Sequence, residues 1–198
     1  TRNHVHVIAH AVTRAAISNL MHLASGSVAR RCNVRLDRNN SMWEHPYQCT
    51  VIQDGRHLLN CLRYVDLNMV RAGEVDHPEK WPTCGYHELT GKRQRYRILD
   101  VAGLAERVGF GSVAEVRRWY AHSIGQRLAQ GNHNRESFWT ESLAVGNNEF
   151  VAGMTSRYSR RWRFSINQTS KEVWHIREAR EPYGTRADQS VHAKQPLG

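Results

Sequence analysis

Long apolar runs are missing from this chain of 198 residues. No window approaches the roughly 18 uninterrupted apolar residues that a membrane helix needs. The opening TRNHVHVIAH lacks the basic, apolar and small-residue order of a secretory leader. These absences exclude an integral membrane protein and give no sign of export, so a cytoplasmic location is expected. Cysteine is sparse and scattered. Cys32, Cys49, Cys61 and Cys84 form no C-x-x-C pair, which argues against a zinc knuckle or a disulfide framework and leaves reduced thiols as the expectation. Internal repeats and low-complexity tracts are absent as well. So is an initiating Met: the chain opens inside what reads as a strand, and a longer parent protein is expected.

Acidic residues are also short in number, 18 against 28 basic ones, for a net charge of +10. A polyanionic partner follows, nucleic acid first. Only four of the 28 basic residues are lysine, and the remainder are arginine. The flat guanidinium fork suits phosphate oxygens and base edges better than an ammonium does. Apolar residues make up 40% of the chain, enough to bury one or two compact domains.

The pattern along the chain predicts an α+β protein. Val5 to Ala9 reads as a strand with His4, His6, Ile8 and His10 on one face. Thr13 offers an N-cap to a helix whose stripe is Ile17, Leu20, Met21, Ala24 and Val28, ending near Arg30 and Arg31. Asn33 to Ser41 reads as a loop, and Tyr47 to Ile52 as a strand before the Asp54-Gly55 turn. A helix from Arg56 to Val70 follows, with Gly73 at its C-terminal cap. Its apolar face is Leu58, Leu62, Val65 and Met69. A second stripe at the same steps is polar: His57, Asn60, Tyr64, Asn68 and Arg71.

Pro78, Trp81, Pro82 and Gly85 mark a loop that closes a first unit, residues 1–91. A mainly helical extension is expected over 92–184, with helices at Ile98 to Val108 and Val113 to Gln130 and an S-x-x-E capping box at Ser112 and Glu115. Two helices split by Gly109-Phe110-Gly111 invite a helix-turn-helix reading, against which stands plain packing. Phe138 to Val151 reads as helix, Val173 to Arg177 as strand, and 185–198 as a disordered tail.

Two histidines separated by one residue on a strand project to the same side and can share a metal ion. With 12 histidines in the chain such a pair arises readily by chance, so His4 and His6 gain meaning only from their surroundings. A tyrosine on a polar helical stripe supplies the second part. A phenolate can attack phosphorus to give a phosphotyrosine while a cation polarises the phosphoryl group.

The segments NHVHVIAH, SMWEHPYQCTVIQDGRHLLNCLRYVDLNMVRAGEV and HPEKWPTCGYHELTG resemble the IS200-like, single-tyrosine transposases, in the branch associated with repetitive extragenic palindromes of bacterial genomes. The resemblance covers nearly all of residues 1–91. It implies a ferredoxin-like core of the His-hydrophobic-His (HUH) nuclease type. It also implies His4 and His6 as metal ligands, Tyr64 as the nucleophile and Asn68 as third ligand. Two imidazoles and one amide oxygen suit Mg²⁺ or Mn²⁺ with positions left for phosphate and water. The implied partner is single-stranded DNA folded into hairpins, cut and rejoined through a 5′-phosphotyrosine by a bacterial, nucleoid-associated monomer or homodimer that needs no small-molecule cofactor. Arg63, Arg71, Trp43 and Trp81 lie close in sequence to this site and are candidate DNA contacts. Met69 stands where the family motif L-N-P-V-R-A-G has proline. Family members also carry a strand, a helix and most of another strand before the histidine motif, so an incomplete sheet with an open edge beside His4 and His6 is expected. The alternative reading is a truncated, catalytically inactive DNA-binding derivative; a basic RNA-binding protein is the third.

Overall fold

The computed structural model describes residues 4–131, 134–158 and 163–178. It is a mixed α+β protein built around one four-stranded sheet. Thr13 caps the first helix, α1 (Arg14–Arg35), accepting from the Ala16 N–H at 3.3 Å. That helix runs past the expected end at Arg31 and contains no buried residue. Of the expected stripe, Ile17 and Met21 are half-buried, whereas Leu20, Ala24 and Val28 are exposed. The segment after it is fastened by polar contacts: Trp43 Nε1 donates to the Ser25 carbonyl at 3.0 Å.

The expected strand at Tyr47 to Ile52 shrinks to β1 (Val51–Ile52). After Gly55, whose φ of 74° needs a residue without a Cβ, comes α2 (Arg56–Asp66). A break at Leu67 separates it from α3 (Asn68–Arg71), so the expected continuous helix is two pieces. Gly73 closes α3 with φ 71°, and the Glu74 N–H reaches back to the Met69 carbonyl at 3.1 Å. Of the polar stripe, His57 and Tyr64 are buried, while Asn60, Asn68 and Arg71 are half-buried. Cys61 and Tyr64 join Phe138, Trp139 and Val145 in one apolar cluster, while Leu62 and Leu67 face another made with Tyr86, Leu89, Tyr120 and Ile124. The helix is wedged between two cores, which is why a one-sided reading of it fails.

The short α4 (Tyr86–Leu89) precedes α5 (Val101–Val108), which starts at an Asp100 cap, later than expected. Then comes α6 (Val113–Ala129). Ser112 accepts from the Glu115 N–H at 3.2 Å, but the Glu115 carboxylate takes the Gly111 N–H, one residue earlier than a capping box would. With Val116, Tyr120 and Ile124 fully buried, α6 is a core helix; shortening Ile124 to Ala is expected to cost about 2–5 kcal/mol.

The expected helix over Phe138 to Val151 breaks into α7 (Phe138–Glu141), β2 (Ala144–Gly146) and α8 (Asn148–Tyr158). A short apolar run such as Ala144-Val145 has no periodicity to separate strand from helix, and burial on both faces decides for strand. The last hairpin is β3 (Phe164–Ser170), not foreseen, and β4 (Val173–Glu178). Strand order is β1-β2-β4-β3, with β1 and β2 parallel and the other pairs antiparallel. Contacts therefore cross the expected boundary at residue 91: β1 pairs with β2. The expected tail at 185–198 lies outside the described residues.

Val5 to Ala9 forms no strand, contrary to expectation, and among the described residues no backbone pair ties 5–12 to the sheet. Alternation persists without a ladder. Val5 and Val7 are exposed, while His6 is half-buried and Ile8 packs on the Tyr64 cluster. His10 turns instead to Arg107, with Nε2 and Nη2 2.6 Å apart.

Asp66 is a buried carboxylate between the two halves. It accepts from the Tyr120 hydroxyl at 2.7 Å and the Gly85 N–H at 3.1 Å. Burial lifts its pKa to about 6 despite these donors. The ordinary value is lower, so between roughly pH 4 and 6 the folded protein keeps a proton that the unfolded chain has released, and this contribution to stability is lost as pH rises. Asp66→Asn is expected to remove a fall of up to about 3 kcal/mol across that window, measured by urea unfolding at each pH. Parallel pH profiles for the two proteins would refute it.

Candidate functional site

Tyr64 sits in the last full turn of α2, where burial of Cys61 and Leu58 against the cores fixes the helix rotation. Its ring is 7% exposed and packs on Trp139, with ring centres 6.3 Å apart. One side of the ring is thus apolar. The other side is polar. The Arg71 guanidinium carbon lies 3.9 Å from the ring centre, a cation–π contact. Arg71 is held there by donating Nη2 to the Tyr64 carbonyl at 2.6 Å and to Asn68 Oδ1 at 3.3 Å. The Leu67 break keeps Asn68 and Arg71 on the side of Tyr64, so these three members of the stripe meet.

The histidine segment reaches the same place. His6 stands edge-on to Tyr64 with ring centres 6.2 Å apart, and His4 stands edge-on to His6 at 4.9 Å. Burial lowers the pKa of both imidazoles. For His6, to which His4 and Arg71 add repulsion, it falls to about 4. A neutral imidazole keeps a lone pair for a metal. The pair is close enough to share one ion. Among the described residues no group of three or more His, Cys, Asp or Glu could hold a metal; the amide oxygen of Asn68, the third ligand implied by the resemblance, accepts from Arg71. Donors of this sort fit Mg²⁺ or Mn²⁺.

A cavity of about 280 Å³ opens beside Tyr64. Asn60, Arg63 and Arg71 line it from α2 and α3; Arg127, Glu136, Phe138, Trp139, Thr169 and Ser170 come from the second half of the chain. Arg63 bonds to Asn60 Oδ1 and lies over the Trp119 ring at 5.5 Å. The two tryptophans proposed from sequence are elsewhere: neither Trp43 nor Trp81 lines the cavity. Trp43 is tied to α1, and the carbonyl of Trp81 accepts from the Cys84 thiol at 3.2 Å. His57, first in the polar stripe, is buried with Nδ1 unpaired and is not a cavity wall.

Sequence did not single out Arg127, Glu136 or Trp139. They lie more than 60 positions from Tyr64 and carry no motif, and only the excess of arginine hinted at a further cationic wall. No protein-family model matches the chain, and neither curated proteins nor solved structures match it. The family resemblance therefore rests on the quoted segments alone. Among the described residues, no helix is long and apolar enough to cross a membrane.

Proposed function

We propose that this chain is a metal-dependent single-tyrosine transposase of the IS200-like kind, which cuts and rejoins single-stranded, hairpin-bearing DNA. One observation carries the reading: the His4–His6 imidazole pair, nearly 60 residues away in sequence, comes to the ring of Tyr64. Core packing alone gives no reason for a histidine pair to seek a buried tyrosine. In the same reading, the finer fold is a ferredoxin-like HUH core, and the inward turn of His6 and Ile8 belongs to it.

In the reaction Tyr64 Oη attacks the scissile phosphorus. The new P–O bond to tyrosine forms as the P–O3′ bond breaks, and the proton lost by the phenol ends on the departing 3′ oxygen. His4, His6 and Asn68 would hold Mg²⁺ or Mn²⁺, whose charge polarises the phosphoryl oxygens when bound. Arg71, over the Tyr64 ring, is placed to hold a phosphate oxygen of the strand beside it. A 3′-hydroxyl attacking the phosphotyrosine restores Tyr64. One phosphodiester is exchanged for another, so no external energy is needed.

The test is a hairpin oligonucleotide labelled at its 3′ end, incubated with the protein and separated under denaturing conditions. A covalent species that requires Mg²⁺ or Mn²⁺ and maps to Tyr64 by peptide mass spectrometry is the expected result. Hairpin binding with no adduct in either metal would leave the non-catalytic DNA-binding reading. Equal affinity for hairpin DNA and single-stranded RNA at matched salt would favour the RNA-binding one.

A further inference from the structure

The cavity beside Tyr64 has a charge imbalance that the chemistry at the tyrosine does not use. Among the described residues that line it, three carry a guanidinium group, Arg63, Arg71 and Arg127, and one a carboxylate, Glu136. Burial lowers the pKa of Arg63 and Arg71, and the charge of Arg127 lowers both further. Crowding like charges in a partly dry site is costly unless an anion joins them. Arg127 ends α6 and is steered by Glu136, which accepts from it at 2.7 Å and from Trp139 Nε1 at 2.7 Å. One carboxylate thus positions both a cation and an aromatic wall. Hydroxyls of Thr169 and Ser170 and the amide of Asn60 complete a lining of hydrogen-bonding groups. About 280 Å³ falls just below the roughly 300–1,000 Å³ range of ligand sites, which suits one nucleotide unit and not a duplex.

We propose that this cavity is a subsite for a single nucleotide of an unpaired strand, with Arg127 as its phosphate-binding residue and the Phe138–Trp139 wall as the surface for sugar or base. The second half of the chain then completes the substrate site. The inference rests on the reading of Tyr64 as acting on single-stranded DNA, and it names which part of that strand is gripped.

Binding is measured in a Tyr64→Phe background, where no adduct can form, by anisotropy of a labelled unstructured pentanucleotide over a salt series. Arg127→Gln is expected to weaken binding about tenfold or more and to flatten the salt slope by about 0.7. Arg118→Gln, which removes an exposed charge of α6 outside the cavity, is expected to change affinity less than about threefold. Glu136→Gln removes the one carboxylate that lines the cavity among the described residues, keeps an amide oxygen that can accept from Arg127, and is expected to tighten binding about threefold, a sign that loss of folding cannot mimic. Arg127→Gln matching Arg118→Gln, or Glu136→Gln weakening binding, would overturn the subsite. A free deoxynucleoside monophosphate competing as well as the pentanucleotide would overturn its assignment to a strand. An adduct formed by the native protein together with unchanged binding in Arg127→Gln removes the subsite alone. No adduct, with Arg127-dependent binding intact, removes the nucleophile and leaves the subsite standing.

Discussion

Tyr64→Phe is expected to lower covalent adduct formation on a hairpin oligonucleotide by roughly 10³-fold or more, with hairpin affinity held within about twofold. The substitution deletes one oxygen and keeps the ring. Contacts with Cys61, Phe138, Trp139 and Val145 survive, so the core around α2 has no cavity to collapse. Arg71 retains an aromatic face beneath it and its hydrogen bonds to the Tyr64 carbonyl and to Asn68 Oδ1, and loses only its side-chain hydrogen bond with the phenol. A large effect on the adduct without an effect on folding is therefore expected, checked by a thermal midpoint within a few degrees of the native protein.

The two other tyrosines of the buried core, Tyr86 and Tyr120, are not placed to take over. Tyr120 is fully buried, donates to Asp66, and has its pKa raised well above the ordinary value by burial and by that carboxylate. Tyr86 is 4% exposed in the opposite cluster and does not line the cavity. An adduct that persists in Tyr64→Phe would remove Tyr64 from the role and, with it, the meaning given to the histidine pair.

How far the sequence carried the structure depends on whether the signal was local. Caps are local: Thr13 and Ser112 each accept the N–H three residues on, as short polar side chains at helix starts do, and Asp100, which the sequence reading passed over, does the same. Turn glycines are local too, and Gly55 and Gly73 carry the positive φ expected of them. The meeting of Tyr64, Asn68 and Arg71 was legible because helical spacing sets it. Strands were not. Pairing partners decide them, and Val51–Ile52 finds Ala144–Gly146 some 90 positions away, while Val5 to Ala9 finds none among the described residues.

The wedge position of α2 was hidden for a related reason. A polar stripe gives no sign that a second core covers part of it, and that core, which packs Phe138 and Trp139 on Tyr64, comes from beyond residue 91. The same separation concealed Arg127 and Glu136. Trp43 and Trp81 were chosen by nearness in sequence, which loops do not convert into nearness in space.

The histidine pair gives the second large effect. His6→Ala is expected to lower the metal-dependent adduct by about 10²-fold or more, because an ion held by fewer ligands loses both occupancy and position. The reason to expect a selective loss lies in how the segment is fastened. Among the described residues, 5–12 makes no backbone pair, and its inward contacts are side-chain contacts, His6 at Tyr64 and Ile8 at the cluster below it. Removing the His6 ring leaves Ile8 in place and takes nothing from the helices, so unfolding midpoints are expected to stay within a few degrees. His10→Ala is the matched control. Its ring meets Arg107, on α5, and not Tyr64, so it alters the same segment without touching the site, and its adduct yield is expected to remain within about threefold.

Metal binding can be read without any reaction. Mn²⁺ titrated into the native protein is expected to broaden the imidazole proton resonances of His4 and His6 first among the histidines, and His6→Ala is expected to abolish that selectivity while His10→Ala preserves it. Broadening spread evenly over all histidines would show that no paired site exists, and equal adduct yields in His6→Ala and His10→Ala would show that the pair beside Tyr64 has no part in the chemistry.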